Sequence, residues 1–232
     1  MFARNGGGLL ARASLGMLSI PMSATDFELL TAWRAGDKTR GNQLFGRHVR
    51  ALLGFFRNKA DDVAEDLTQR TFLALVEAQG DFRGDASFRT YLFAVARGQL
   101  LMHFRGRAID KHRIDPLTWS AVDGGAAPRR GAIARQEQAL VLEAMRRIPL
   151  DYQIALELFY WQELGVAEIA TVCECPAGTI KARLSRGREL LRDRIVELVD
   201  RDELLKSTLD DVDGWIRSLP PIVAGIDESA SV

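Results

Sequence analysis

Apolar residues recur at intervals of three and four along most of the chain, and this spacing limits the fold more than any other feature. In residues 39–58, for example, Leu44, Leu52 and Phe56 fall on one face of a helix. No segment alternates apolar and polar residues with the β-branched enrichment that is typical of strands. The sequence therefore predicts an all-α fold.

Capping and helix-breaking residues divide this pattern into separate helices. Thr25 and Asp26 are the candidates to cap the first helix. Asp61 and Asp62 can cap the third helix, and Gly80 can end it. The predicted helices are 25–36, 39–58, 61–80, 87–105, 134–148, 151–162, 166–172 and one that begins at Pro176.

Between residues 114 and 132 the helical spacing disappears, and prolines and glycines interrupt the chain. Such a composition is typical of a flexible linker. We therefore predict two small helical domains. Met1, Met17 and Met22 are the candidate starts of translation. The five predicted parts are a disordered lead-in at 1–24, a first domain at 25–113, the linker at 114–133, a second domain at 134–198 and an acidic C-terminal extension at 199–232.

The composition is that of a globular protein, with 47% hydrophobic and 27% charged residues. No apolar run approaches the roughly 18 residues that a membrane-spanning helix needs, so we predict no membrane insertion. The first twenty residues lack a signal-peptide cleavage site of small residues. Because the chain has only two cysteines, too few for a disulfide framework, we predict a cytoplasmic protein.

Cys173 and Cys175 form a C-x-C pair, which could supply part of a metal site. The three histidines, His48, His103 and His112, lie far from this pair in the sequence, and we favour two small thiols at a turn. No group of histidines, cysteines or carboxylates has the spacing of a catalytic centre. The sequence therefore predicts no metal, no cofactor and no enzymatic activity.

Basic residues are concentrated in two stretches, although the net charge of the chain is zero. Residues 97–113 contain five basic residues and one acidic residue, and residues 176–194 contain six basic and two acidic residues. Residues 197–228, by contrast, contain nine acidic and three basic residues. The two basic stretches favour a polyanionic partner, which the acidic segment could shield.

Residues 166–194 have the pattern of a helix-turn-helix. A short helix with an apolar face is followed by a tight turn at 173–175 and by a second helix that begins at Pro176. In the second helix Ile180, Leu184 and Leu191 share the inward face. Such a helix fits the major groove, where basic residues contact phosphates and base edges. The alternative is an amphipathic helix whose basic face is only solvated. The basic face carries Lys181, Ser185, Arg188 and Arg192.

Aromatic residues are interleaved with arginines between residues 82 and 107. Aromatic rings can stack on unpaired bases while guanidinium groups hold the strand. The loop at 83–87 could also form a pocket for an extruded base. The alternative is that Phe88, Leu92 and Val95, which lie at helical spacing, belong to the core. The aromatic residues are Phe82, Phe88, Tyr91 and Phe93, and the arginines are Arg83, Arg89, Arg97, Arg105 and Arg107.

Four segments in this order, AEDLTQRTF, FRGDASFRTYLFAVAR, the linker and CPAGTIKARLSRGRELLR, resemble one family. They are similar to a bacterial RNA polymerase sigma factor of the extracytoplasmic-function (ECF) group, over roughly 25–113 and 134–196. The resemblance implies that the first domain is region 2, which binds core RNA polymerase and opens the minus-ten element. It implies that the second domain is region 4, which reads duplex DNA at minus thirty-five. The implied partners are promoter DNA and the beta-prime clamp helices and beta flap of the polymerase, and an anti-sigma factor is common in the family.

The resemblance also assigns DNA contacts position by position. The family often has serine where Ala182 stands, and alanine can still touch a thymine methyl group. It often has tryptophan and asparagine where this chain has Tyr91 and Gly98. The implied minus-ten residues are Arg83, Asp85, Ser87, Phe88, Arg89, Tyr91 and Arg97. The implied minus-thirty-five residues are Thr179, Lys181, Ala182, Ser185, Arg186 and Arg188.

The implied polymerase-binding face carries one residue that departs from the family. An acid usually stands where this chain has Arg70, which follows Asp66 by four residues and can pair with it. One explanation is that the interface tolerates the change, and a second is a compensating charge on the partner. A third is that a Ser/Thr kinase phosphorylates Thr68 or Thr71 and so adds negative charge beside Arg70. The face consists of Glu65, Asp66, Gln69, Arg70 and Leu73.

The extension at 199–232 carries an apolar stripe that includes Leu205, Trp215 and Ile216, flanked by acidic residues. One hypothesis is that it folds back and covers the basic recognition helix. The alternative is that it only extends the core of the second domain. For the whole chain, the sequence favours a sigma factor, and the alternative is a helix-turn-helix regulator that acts without polymerase.

Overall fold

The computed structural model describes residues 24–78, 86–110, 133–198 and 216. Every regular element in these ranges is helical, which confirms the predicted all-α fold. The predicted lead-in up to residue 23, the linker residues 114–132 and the extension apart from Ile216 lie outside the described residues. The helices are α1 (Asp26–Arg34), α2 (Lys38–Ala60), α3 (Ala64–Glu77), α4 (Phe88–Asp110), α5 (Ile133–Arg146), α6 (Leu150–Tyr160), α7 (Val166–Cys173) and α8 (Ala177–Leu198).

The helix ends show which capping predictions were correct. Thr25 caps α1, and the Glu28 carboxylate accepts a hydrogen bond from the Thr25 N–H at 2.7 Å, which completes a capping box. The prediction that Asp61 and Asp62 cap α3 is wrong. They form a 3-10 turn, and Val63 precedes α3 without a side-chain cap. Helix α3 ends at Glu77, and Gly80 lies outside the described residues.

Residues 24–110, here called the N-terminal half, are organised around the long helix α2. Helices α1 and α3 pack against α2, and α4 packs against α3. Phe55 lies at the centre, with its ring 5.5 Å from the ring of Phe56 and 5.4 Å from that of Phe93, both edge to face. All three rings are fully buried. This confirms the inward position predicted for Phe56, whereas Phe93, one of the aromatic residues proposed to stack on bases, is corrected to a core position.

Residues 133–198, here called the C-terminal half, form a second helical group in which α6 and α5 both pack against α8. The turn between α7 and α8 follows the predicted helix-turn-helix pattern. Its residue Glu174 has φ +52°, a left-handed conformation that reverses the chain between the two helices. Ile180, Leu184 and Leu191 of α8 are buried, which confirms the predicted inward face.

The two halves pack against each other directly, which the sequence did not predict. Helix α4 lies against α7, and α2 lies against α5. We call this contact the seam between the halves. The side chain of Ile216, the described residue of the C-terminal extension, is buried, as expected of a member of an apolar stripe.

Two helical glycines predict opposite effects of the same substitution. A Cβ atom at exposed Gly98 in α4 would have no other atom within 4 Å, whereas a Cβ at Gly41 in α2 would lie 2.4 Å from the Trp33 ring. We expect Gly98→Ala to raise the free energy of unfolding by about 0.5–1 kcal/mol because alanine favours the helix. We expect Gly41→Ala to lower it by about 1–3 kcal/mol through overpacking. Chemical denaturation measures both, and equal effects would contradict the packing of α1 on α2.

Candidate nucleic-acid interface

The short helix α7 and the longer α8 form the first candidate surface for nucleic acid. The Gly165 N–H donates a hydrogen bond to the Glu168 carboxylate at 3.0 Å and so caps the start of α7. In the turn, the Cys175 N–H donates to the Ala170 carbonyl at 3.1 Å. Ile169 and Val172 of α7 are buried, as predicted. The outer side of α8 is therefore the side that is available to a groove of DNA.

The outer side of α8 carries most of the predicted minus-thirty-five residues. Lys181, Ala182, Ser185 and Arg186 are exposed, whereas Thr179 and Arg188 are half-buried. Arg186 is paired with Glu189, an acid that the sequence prediction did not include, at 2.7 Å. The structure thus brings four of the six predicted residues together on one exposed face.

Arg183 is the basic residue that holds α8 in place. Its guanidinium donates to the Asp151 carboxylate of α6 at 2.5 Å, and both side chains are largely buried. Arg183 also lies 3.9 Å from the Cys175 sulfur in the turn. Charge-assisted hydrogen bonds of this kind are strong, so Arg183 connects α6, the turn and the recognition helix.

The two cysteines fit the role of small thiols at a turn. Cys173 is buried and Cys175 is half-buried. Burial raises the pKa of the Cys173 thiol to about 11, so it stays protonated near neutral pH. Among the residues that the structure describes, no three histidine, cysteine or acidic side chains converge as a metal would require.

Most of the predicted minus-ten residues in the described ranges lie at the start of α4, with Arg97 further along the helix, but one of them is in the core. Phe88 is 5% exposed and its ring lies 5.4 Å from that of His48, so in this conformation it cannot stack on a base. The assignment of Phe88 to base stacking is therefore corrected to a core position. Ser87 is exposed, and Arg89, Tyr91 and Arg97 are half-buried. Arg83 and Asp85 lie outside the described residues.

Helix α7 covers part of this minus-ten surface. The Glu168 carboxylate accepts hydrogen bonds from the hydroxyl groups of Thr90 at 2.9 Å and Ser87 at 3.2 Å. Arg89 donates to the side chain of Gln162 at 2.9 Å. The hydrogen bond from the Gly165 N–H holds the pKa of Glu168 below its ordinary value, so the group is a carboxylate near neutral pH.

Sequence reasoning missed the contacts of Thr90, Gln162 and Glu168. The pattern Gly165-x-x-Glu168 indicates a helix start, because an acid three residues into a helix often bonds the preceding backbone. It does not indicate a contact with Thr90, which lies 78 residues earlier in the chain.

A buried ion pair also crosses the seam, between α2 and α6. The ammonium group of Lys59 in α2 donates to the carboxylate of Glu157 in α6 and to the Phe55 carbonyl at 2.9 Å. The Lys59 side chain is fully buried, and that of Glu157 is 2% exposed. Burial lowers the pKa of Lys59 and raises that of Glu157, because both charged forms lose water.

The predicted polymerase-binding residues lie together on the outer face of α3. Glu65, Gln69 and Leu73 are exposed. Arg70 pairs with Asp66 at 2.9 Å, as predicted, and both side chains are at least half exposed. Two apolar residues add to this face, since Leu73 is 55% and Val76 is 44% exposed. The face thus combines a neutralised charge pair with an apolar patch.

The hypothesis of phosphorylation at Thr68 or Thr71 conflicts with the packing of α3. Thr71 is fully buried and Thr68 is 7% exposed. Their hydroxyl groups donate to the carbonyl groups of Leu67 and Ala64, each at 2.7 Å, one turn earlier in the helix. A kinase could reach neither hydroxyl while α3 is packed, so the hypothesis is withdrawn. In the structure, Arg70 forms an ion pair with Asp66.

Two known families match the chain. Sigma-70 region 2 matches residues 44–109, and sigma-70 region 4 matches residues 138–191. Together they cover just over half of the 232 residues, and they divide the chain between the N-terminal and C-terminal halves. None of the helices in the described ranges is long and apolar enough to cross a membrane.

Similar proteins match this chain along nearly their whole length. The RNA polymerase sigma-H factor of Pseudomonas aeruginosa is 29% identical over 176 residues, which cover 72% of this chain and 91% of that protein. The ECF RNA polymerase sigma-E factor of Escherichia coli K12 is 26% identical over 188 residues, which cover 76% of this chain and 97% of the other.

Two solved structures share the fold. One is the sigma factor RpoE in complex with the anti-sigma factor NepR from Bartonella quintana, with a TM-score of 0.53, 24% identity and coverage of 71% of this chain and 99% of RpoE. The other is CnrH in complex with the cytosolic domain of CnrY, with a TM-score of 0.52, 21% identity and coverage of 77% and 99%.

Proposed function

The chain belongs to the sigma-70 family, in its ECF group, and we propose that it directs core RNA polymerase to a subset of promoters. The observation that carries this proposal is the presence of both regions 2 and 4, in that order, within one chain. Region 2 corresponds to our predicted domain at 25–113, and region 4 to that at 134–198. We assign the chain no catalytic step.

We propose that three surfaces of the chain each bind a different part of the promoter complex. The outer face of α8 reads the minus-thirty-five element through Lys181, Ala182, Ser185 and Arg186, which are exposed side by side. The start of α4 contacts the minus-ten strand through Ser87, Arg89, Tyr91 and Arg97. The exposed face of α3 docks on core polymerase.

The alternative of a DNA-binding regulator that acts without polymerase needs only the C-terminal half. Such a regulator would gain nothing from region 2 or from the exposed apolar residues Leu73 and Val76 on α3. Two large apolar side chains that are exposed together on one helix face suit a contact with a partner protein. Region 2 and this surface therefore favour the sigma factor.

The direct test is transcription in vitro. The purified chain is added to core polymerase that lacks sigma factor, with genomic DNA of the source organism as template, and the 5′ ends of the transcripts are mapped. We expect new start sites that share sequence elements near minus ten and minus thirty-five. Core polymerase alone is the control. Transcripts identical to that control, from a chain that still binds duplex DNA, would favour the regulator instead.

The recognition helix yields a prediction about salt dependence. Lys181→Ala should weaken binding to a promoter duplex and reduce the slope of log affinity against log salt by about 1, because one phosphate contact is lost. Lys38→Ala is a matched control, since Lys38 is also exposed but lies at the start of α2. Fluorescence anisotropy at several salt concentrations measures the slope. An equal loss for both variants would contradict the assignment of α8 as the duplex-binding helix.

A further inference from the structure

Side chains on both sides of the seam meet at the start of α4. The Glu168 carboxylate of α7 accepts hydrogen bonds from the Thr90 and Ser87 hydroxyl groups, and Gln162 accepts one from Arg89. Ser87 and Arg89 are residues that we assign to the minus-ten strand. The groups that bind this carboxylate lie at the N-terminal end of α4. They could bind an anionic phosphate equally well.

One nitrogen atom in each of two arginines of the same surface has no hydrogen-bond partner in this arrangement. Among the described residues, neither the Nε of Arg89 nor the Nε of Arg97 has a hydrogen-bond partner, and both atoms are buried. A buried donor without an acceptor costs free energy, and a phosphate or base that reached it would recover that cost. While the two halves are in contact, these two Nε donors therefore remain unsatisfied, and a nucleic-acid strand that replaced α7 could accept hydrogen bonds from them.

The seam also contains two buried charged groups, and both would be better hydrated if it opened. Lys59 and Glu157 are both buried there, and the desolvation of two charges offsets much of their attraction. When the halves separate, both groups regain water, so this contact opens at a lower cost than an apolar core of equal size.

We propose that α7 is an autoinhibitory cover, in which the Glu168 carboxylate occupies the place of the promoter strand at the start of α4. This inference rests on the proposed function, because it takes the surface of Ser87, Arg89 and Arg97 as the minus-ten surface. In the free chain, α7 of region 4 covers the DNA-binding surface at the start of α4. Single-stranded DNA binds by displacing Glu168, so its apparent affinity is reduced by the fraction of chains that are open.

The test measures binding of fluorescein-labelled single-stranded DNA, of mixed sequence and roughly 12 nucleotides long, to the full chain. Glu168→Gln keeps an acceptor for the Gly165 N–H but removes the charge. Thr90→Val keeps the shape and the net charge but removes the hydroxyl donor. We expect each variant to bind about five- to tenfold more tightly than the wild type. Glu163→Gln is the control, because it removes the same charge from an exposed residue and should stay within about twofold.

Hydrogen exchange provides the second measurement. The amides of α7 should lose protection in Glu168→Gln and Thr90→Val, and in the wild type when the labelled DNA is added. A gain in affinity for Glu168→Gln and Glu163→Gln alike, with none for Thr90→Val, would mean simple charge repulsion and would overturn the proposal. Unchanged affinity and protection in both seam variants would overturn it as well.

The thermal melting transition of each variant shows whether it is folded. If Glu168→Gln fails to fold, the result for Thr90→Val decides alone. The proposed function is tested separately by transcription with core polymerase. A wild-type chain that yields no specific start sites refutes the function, whereas a chain that yields them and shows no response at Glu168 or Thr90 refutes only the cover.

Discussion

Lys59→Met alone should lower the free energy of unfolding by roughly 3–5 kcal/mol, the largest effect on stability that we expect from any substitution in the chain. The substitution leaves the Glu157 carboxylate, which is 2% exposed, without its counter-ion. Glu157→Leu should cost about the same, because it leaves Lys59 buried and charged. The double variant Lys59→Met/Glu157→Leu should lie within about 1 kcal/mol of the wild type or be more stable, because the desolvation of both charges is removed.

The exposed pair of Glu143 and Arg147 provides the matched control. Its carboxylate and guanidinium lie 2.9 Å apart, but both side chains are 39% exposed. We expect Glu143→Gln to change stability by less than about 1 kcal/mol. Denaturant titration followed by circular dichroism measures all four variants. Single variants at Lys59 and Glu157 that behave like Glu143→Gln would show that the pair is not buried in solution.

The same variants report on the seam. A single variant can relieve its unpaired charge by separating the two halves instead of unfolding them. In that case small-angle scattering would show a larger radius of gyration while the helical content stays constant. The double variant should remain compact, since no unpaired charge is buried at this position. A radius that does not change in a destabilised single variant would indicate that the halves unfold together.

Helices and their inward faces could be predicted from the sequence because they depend on neighbours three and four residues apart. The inward face of α8, with Ile180, Leu184 and Leu191, is an example. The cap at Thr25 was predictable for the same reason, since its partner Glu28 is three residues away. Asp61 and Asp62 have equally good capping chemistry, and they were predicted wrongly because the chain enters α3 through a 3-10 turn.

Contacts across the seam could not be predicted, because they join residues far apart in the sequence. Lys59 and Glu157 are 98 residues apart, and each looks like an ordinary surface charge when it is read alone. Thr71 shows a different error, since the phosphorylation hypothesis required an accessible hydroxyl group. Its hydroxyl donates to the Leu67 carbonyl of its own helix, which allows full burial. Polar residues whose partners lie within one helix or across a seam are therefore the ones that sequence patterns misplace.

Phe88 illustrates why the surroundings of the proposed minus-ten residues could not be predicted from the sequence. An aromatic residue among arginines suits base stacking and a helical core equally well, and sequence spacing supports both. The structure buries Phe88 against His48, while the polar residues beside it, Ser87 and Arg89, contact the C-terminal half. The packing of α7 determines what lies against this surface. No local sequence pattern indicates that packing.

Leu73→Asp should weaken binding to core polymerase by at least about 30-fold, the largest functional effect that we expect. Leu73 is 55% exposed on α3, with Val76 on the same face. The substitution would place a carboxylate without a counter-ion in an apolar contact, which costs roughly 2 kcal/mol or more. The fold should be unaffected, because the side chain lies at the surface. Val196→Asp is the control, since Val196 is 51% exposed on α8 and should leave polymerase binding within about twofold.

Arg70→Gln decides whether charge or apolar contact controls this docking. The variant frees the Asp66 carboxylate from a pair whose side chains are 60% and 50% exposed, and such a pair contributes at most about 1 kcal/mol. We therefore expect polymerase affinity to change by no more than about fivefold, with the direction set by the charge that faces Asp66. Surface plasmon resonance with immobilised core polymerase compares it with Leu73→Asp. A larger change for Arg70→Gln than for Leu73→Asp would mean that the Arg70–Asp66 pair, and not the apolar patch, determines how tightly α3 docks.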